Sequence, residues 1–164
     1  MKNILIILVL VIIASGCSTQ IQKRIKSRNG AELDGIVLLR EDGNDVRILG
    51  QLTGFEPNGL FGFHIHERAD CSGPDFKAAG GHYAPVGHKH GYPDSKLSHK
   101  GDLGNIQSNS EGVVKLDRVV ASTSLTKGHN TLRGRALIIH AEADDYTTQP
   151  SGASGPRIGC VAIK

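Results

Sequence analysis

The chain has 164 residues, with 19 Lys and Arg against 16 Asp and Glu, and a formal net charge of +3. So even a balance excludes the dense basic surface on which nucleic-acid binding depends. There is no Trp, and only four Phe and three Tyr, so any core must be built from Val, Ile and Leu. Gly, at 21 of 164 residues, stands at nearly twice the usual ~7% and signals many tight turns.

Met1-Lys2 opens the chain, and Ile4 to Ile13 carry no charge. That apolar run is about half of the ~20 residues needed to cross a bilayer. A basic start, a short apolar stretch and small residues at Ala14-Ser15-Gly16 describe a secretory signal over residues 1–16. Ala14-Ser15-Gly16-Cys17 looks like a bacterial lipobox, which predicts a lipidated Cys17; the alternative is an ordinary signal cleaved near Gly16 that leaves a free Cys. The expected location is extracytoplasmic, on a membrane anchor at the periplasmic side of the envelope. Residues 17–30 then form the lipidated N-terminus and a polar, basic tether that runs into a first strand. Residues 31–164 form one domain, of a size that can bury its own core. With Cys17 assigned to the lipid, Cys71 and Cys160 are left as a pair, and outside the cytoplasm an even pair predicts a disulfide.

Beyond Leu33 the signals are those of strands. Gly35 to Arg40 is a β-rich run closed by a turn at Glu41 to Asp45. Val46 to Leu52 follows, with Gly50 as a candidate bulge. Glu56-Pro57-Asn58-Gly59 is a second turn before Leu60 to Glu67; later runs are Gly112 to Val120, Gly134 to His140 and Gly159 to Ile163. No window holds an apolar period of 3.6 residues. The expected fold is all-β, a sandwich or barrel.

One stretch interrupts this pattern. Gly80 to Asn105 holds His82, His88, His90 and His99, with Asp102 close behind, while Pro85, Pro93 and several glycines rule out regular structure. A loop this long inside a small domain serves a function, and metal bonds would offset its lost chain entropy. His82, His90, His99 and Asp102 supply three nitrogens and a carboxylate, the closed four-ligand shell that structural zinc prefers. His64 and His66 sit two apart on a strand, so both imidazoles leave the same face. Together with His82 and His140, at the end of ALIIH, they make an all-imidazole set that suits Cu(II). One ring, that of His82, belongs to both sets.

From about Leu33 to Ile163 the chain resembles the copper/zinc superoxide dismutases, on the motifs GFHIHE, GGHYAP, KHGYP, HKGDLGN, GRALIIHAEADD and GPRIGC in that order. The resemblance implies an eight-stranded Greek-key β-barrel with a long metal-binding loop. It implies copper on His64, His66, His82 and His140, and zinc on His82, His90, His99 and Asp102, with His82 bridging as an imidazolate. Asp144 would join a copper histidine to a zinc histidine, and Arg157 would guide the superoxide anion to copper, making Arg157 and His82 the catalytic residues. The implied reaction converts superoxide to oxygen and hydrogen peroxide.

The chain departs from that pattern in places. Phe61 stands where many relatives carry His, and Ala141 to Pro156 contains no Lys or Arg to steer substrate, which leaves Lys89, Lys96 or Lys100 as substitutes. His88 and His129 read as solvated histidines. The competing function is a non-catalytic copper- and zinc-binding protein. The oligomeric state is left open, a homodimer included.

Overall fold

The computed structural model describes residues 19–93 and 95–164, so the proposed signal and Cys17 lie outside the described residues. The chain forms nine strands among the described residues: β1 (Gln20–Arg24), β2 (Lys26–Ser27), β3 (Asp34–Asp42), β4 (Asp45–Thr53), β5 (Leu60–His66), β6 (Asp102–Gln107), β7 (Val114–Val120), β8 (Ala136–His140) and β9 (Arg157–Ala162). A 3-10 turn spans Lys77–Ala79. The strands make two antiparallel sheets, ordered β1-β3-β4-β7 and β2-β9-β8-β5-β6. The connections β4 to β5, β6 to β7 and β7 to β8 all cross between sheets.

The expected all-β fold is present as a two-sheet sandwich, and two details differ. Among the described residues it has nine strands rather than eight and is not closed into a barrel. At one side Ile25 carries the chain across: its N–H still bonds the Gly35 carbonyl of the first sheet (3.1 Å), while Lys26 already pairs with Cys160 in the second. At the other side β6 and β7 are not paired as neighbours in either sheet, and the Arg118 guanidinium bridges to the Asn105 carbonyl (2.6 Å). Second, Gly50 is no bulge. The β3–β4 ladder passes through Val37↔Gly50 without a shift, and a Cβ at Gly50 would lie 2.7 Å from the Ile36 carbonyl oxygen, so the strand needs its bareness.

Alternation explains the core. Val37 and Leu39 of β3, with Val46, Ile48 and Leu52 of β4, face inward and are at most 1% exposed. On β5, Phe61, Phe63 and Ile65 enter the same core. Gly62, His64 and His66 therefore point to the other face of the second sheet, where they are buried by the loops folded over it. Phe61, in the place of the expected His, packs its ring 4.9 Å from Phe55. The two register shifts in the second sheet fall between Gly62 and His64 and between Ile139 and His140. Bulges re-aim side chains, and these two sit beside histidines.

The covering loops are fixed by few, strong ties. Cys71 and Cys160 form the expected disulfide, with Cα atoms 5.8 Å apart. Around it Phe76, Ala79, Ala136 and Ile138 make a second small cluster, clamping residues 71–79 to β8 and β9.

Candidate metal centre

The loop histidines and the strand histidines meet in two adjoining sets. In His64, His66, His82 and His140, one nitrogen of each ring lies within 4.8 Å of the others; the same holds for the donor atoms of His82, His90, His99 and Asp102. His82 is common to both. His88 joins neither: its Nδ1 faces the Ser98 carbonyl at 3.1 Å. His129 is exposed and serves through its backbone, whose carbonyl accepts the Tyr83 hydroxyl (2.9 Å).

For His64, His66 and His140 the hydrogen bonds fix which ring nitrogen carries the proton. His66 Nδ1 faces the Gly80 carbonyl (2.8 Å) and His140 Nδ1 faces the Gly155 carbonyl (3.1 Å); a carbonyl only accepts, so both Nδ1 atoms donate. Asp144, 3% exposed, accepts at both oxygens: from His64 Nε2–H (2.9 Å) and from His90 Nε2–H (2.8 Å). In neutral rings the lone pairs are then left on His64 Nδ1, His66 Nε2, His140 Nε2 and His90 Nδ1.

Three of those lone pairs, on His64, His66 and His140, lack a partner, whereas His90 Nδ1 faces Asp102 Oδ1. Among the described residues, His64 Nδ1, His66 Nε2, His82 Nε2 and His140 Nε2 are buried without any hydrogen bond; a fifth such atom, Arg135 Nε, belongs to a guanidinium stacked over Tyr83. Orphaned buried acceptors are costly, and four converging on one point describe a cation site. The second set makes the same case differently. Asp102 Oδ1 stands 2.8, 3.0 and 3.2 Å from Nδ1 of His82, His90 and His99. His90 has a carboxylate oxygen at each ring nitrogen, so a neutral ring leaves one lone pair facing an acceptor, a clash that a cation beside Asp102 Oδ1 would relieve. Four donors at ~2.0–2.2 Å from zinc would stand about 3.3 Å apart, close to what is seen. The donor chemistry therefore fits copper in the first set and zinc in the second.

The electrostatics agree. Burial pushes His64 and His66 well below the usual imidazole range, with neighbouring His82 adding to both. Burial likewise holds His140 at about 4. His82 is lowered by burial against the opposing pull of Asp102. Burial alone would raise Asp102, but the His82 hydrogen bond and the Gly91 N–H outweigh it and keep the carboxyl below its usual range. Rings held neutral and a carboxylate held charged are the states that bind metal.

Arg157 lies where β9 meets this set. Its guanidinium donates to the carbonyls of Phe76 (2.8 Å) and Gly80 (2.7 Å), so the Gly80 oxygen accepts from both Arg157 and His66. After burial, the Arg157 charge is among the influences that lower His66 and His140. Two of the three lysines expected to assist it do not line the cavity that holds Arg157. Lys96 and Lys100 line a different cavity, with His88, Leu103 and Val119, and the Lys100 ammonium bonds the Ala121 carbonyl.

Some supporting residues had escaped the sequence reading. The Gln149 amide clamps His90 by its backbone, accepting from its N–H and donating to its carbonyl, each at 2.9 Å. Gly152, at φ +68°, leaves room that a Cβ would take from Asp144 and from His90 Nε2, the latter at 2.6 Å. Asn105 bonds the backbone of Asp144 in both directions (2.9 and 2.7 Å) and reaches the Tyr146 hydroxyl. Gln149 had no signal in the sequence; Gly152 had only its residue type.

Residues 33–163 match the family profile of copper/zinc superoxide dismutase (SODC). The chain is 39% identical over 137 residues to Superoxide dismutase (Cu-Zn) 2 of Aquifex aeolicus (strain VF5), covering 81% of this chain and 80% of that protein. It is 38% identical over 144 residues to Superoxide dismutase-like protein YojM of Bacillus subtilis (strain 168), covering 85% and 74%. The crystal structure of a SOD-like protein from Bacillus subtilis superposes with a TM-score of 0.78 at 34% identity, covering 87% of this chain and 97% of that one. Sequence, fold and donor chemistry agree: the chain belongs to the copper/zinc superoxide dismutase family and is an enzyme of copper and zinc.

Proposed function

We propose that this superoxide dismutase works outside the cytoplasm, with the His82 ring shared between the two metals, and the four orphaned imidazole nitrogens carry that reading. His64 Nδ1 with Nε2 of His66, His82 and His140 would hold copper, and Nδ1 of His82, His90 and His99 with Asp102 Oδ1 would hold zinc. Bound copper would supply one-electron redox chemistry, and bound zinc a fixed positive charge. The net change is two superoxide anions and two protons to one oxygen and one hydrogen peroxide.

The chain's own groups do the rest. Arg157, fixed by two carbonyls, holds the anion beside the imidazoles. His82 Nε2 has no protein partner, so whenever it is not engaged by copper it could carry a proton to the departing peroxide, while Nδ1 stays beside Asp102. Asp144 binds one ring from each set and keeps both in register. The disulfide supports an oxidising compartment, and Cys17 carries the lipid that joins the protein to a membrane.

The protein loaded with copper and zinc is expected to dismute superoxide well above free copper, and His140→Ala to lose copper and activity while retaining zinc. An inactive loaded protein, or a fully active His140→Ala variant, would overturn the reading. With cobalt in place of zinc, the Cu(II) paramagnetic resonance should be broadened or quenched through the shared ring; an unchanged spectrum refutes the bridge. Radioactive palmitate should label the wild type and not Cys17→Ser.

A further inference from the structure

Tyr92 and Tyr146 stack where two loops meet, with ring centroids 4.6 Å apart and planes inclined by 15°. Each closely follows a group that holds the second donor set: Tyr92 comes two residues after His90, and Tyr146 two after Asp144. Tyr92 is 62% exposed, so this contact is made by an otherwise solvated ring. Directly before it, the Gly91 N–H donates to Asp102 Oδ2 (3.0 Å). On the other loop, the Tyr146 N–H donates to Asp144 Oδ1 (2.7 Å), the oxygen that His90 Nε2 faces at 2.8 Å. Tyr146 does so at φ +63°, a left-handed backbone that disfavours residues with a Cβ. β6 completes the junction. The Asn105 amide donates to the Tyr146 hydroxyl (2.8 Å) and to the Asp144 carbonyl (2.9 Å). At Gly104 a Cβ would lie 2.9 Å from Pro93 Cγ and 3.4 Å from the Tyr146 ring, so both loops rest on the strand there.

We propose that Tyr92 and Tyr146 are positioning residues for zinc: their stack clasps the loop of His90 and His99 to the loop of Asp144, and so sets how tightly and how long zinc is held. The inference rests on the zinc reading of the second donor set. His90 must keep Nδ1 beside Asp102 and Nε2 beside Asp144, and those two carboxylates arrive on different segments. Between residues 84–100 and 141–156, the hydrogen bonds among the described residues all end on His90, from Gln149 and Asp144. Without the stack, the residue being positioned would itself carry the join between the loops. The two rings supply a tie that bypasses it. They act through backbone, since neither tyrosine belongs to the donor set.

The test uses the full protein, free of copper. Zinc affinity is measured against a chromophoric chelator, and zinc release is followed in excess chelator. Tyr92→Ala should hold zinc about 2- to 12-fold more weakly, the worth of an aromatic pair beyond its burial, and release it faster. Tyr92→Phe keeps the ring and should match the wild type, because the Tyr92 hydroxyl has no hydrogen bond among the described residues. Tyr146→Ala should lose at least as much as Tyr92→Ala, and the double alanine variant no more than Tyr146→Ala, because the clasp is then already open. Cobalt in the zinc site reports donor geometry, so its visible bands should shift in Tyr92→Ala and not in Tyr92→Phe. The proposal is overturned if Tyr92→Ala holds zinc as the wild type does, if Tyr92→Phe loses as much as Tyr92→Ala, if the two alanine effects multiply in the double variant, or if zinc weakens with the cobalt bands unchanged. A wild type that takes up no zinc would instead refute the zinc reading, so the two failures are distinguishable.

Discussion

Gly152→Ala is the sharpest test of how the zinc set is held. The substitution adds one methyl at φ +68°, where a Cβ would be 2.6 Å from His90 Nε2 and in collision with Asp144 Oδ1. Ordinary contact begins near 3.4 Å, so the His90 ring would have to retreat by about 0.8 Å or the Asp144 carboxylate would have to leave. Either motion breaks the hydrogen bond from His90 Nε2–H to Asp144, a bond to a charged acceptor worth ~1.5–3 kcal/mol. Zinc should therefore bind about 10- to 100-fold more weakly, the usual cost of losing a ligand's outer partner. The left-handed backbone adds a separate penalty of about 1–2 kcal/mol to folding. Gly43, at φ +64° with nothing within 4 Å of a built Cβ, isolates that second cost in the β3–β4 turn. Zinc affinity is measured on copper-free protein against a chromophoric chelator, and stability on the chelator-treated protein by denaturant melts. If Gly152→Ala binds zinc within threefold of wild type and melts like Gly43→Ala, the crowding of His90 by this position is refuted.

Two further outcomes follow from the fold. Replacing Cys71 and Cys160 together by Ser opens a loop spanning 89 positions, and loop-closure entropy gives a loss of about 4–5 kcal/mol; a change below ~1 kcal/mol in a denaturant melt would show that the covering loop is held by other means. The metal-free protein should weaken in acid. Burial holds the folded His140 at about 4 against an ordinary 6.5, so the unfolded chain takes up that proton first. The stability is complete above pH 6.5 and is lost as pH falls toward 4, by about 3 kcal/mol from this ring alone. His64, His66 and His82, also lowered chiefly by burial, act in the same direction. Melts of chelator-treated wild type and His140→Gln between pH 8 and 4 decide it, since equal pH slopes would remove His140 as a contributor.

The metal centre was largely legible in the sequence because its donors obey simple geometry. His64 and His66 share a face by strand alternation, and the loop donors are crowded between prolines and glycines that forbid regular structure. What holds the donors was not legible, since Gln149 and Gly152 act across long separations and carry no local pattern. The N-terminal segment shows a different limit. Ile21 and Ile25 are its two buried anchors, and exposed Lys23 between them breaks the alternation that would mark a strand, while the chain changes sheets at Ile25. β6 was hidden too: Asp102-Leu103-Gly104-Asn105 reads as the end of a loop, yet it pairs with β5 through Gly62↔Asn105 and His64↔Asp102. The steering lysines were sought by sequence proximity to the histidines. Lys96 and Lys100 open instead onto the cavity that does not contain Arg157.

The Gly80 carbonyl ties two side chains of the site together. It receives one bond from His66 and one from Arg157, and an amide oxygen has two lone pairs to give. Arg157 and the His66 ring, proposed above as anion guide and metal ligand, are thus indexed to a common pivot. Attempts to enlarge the entrance by shifting the arginine will drag the ring with it, so redesign for bulkier anions must rebuild that corner of the backbone first.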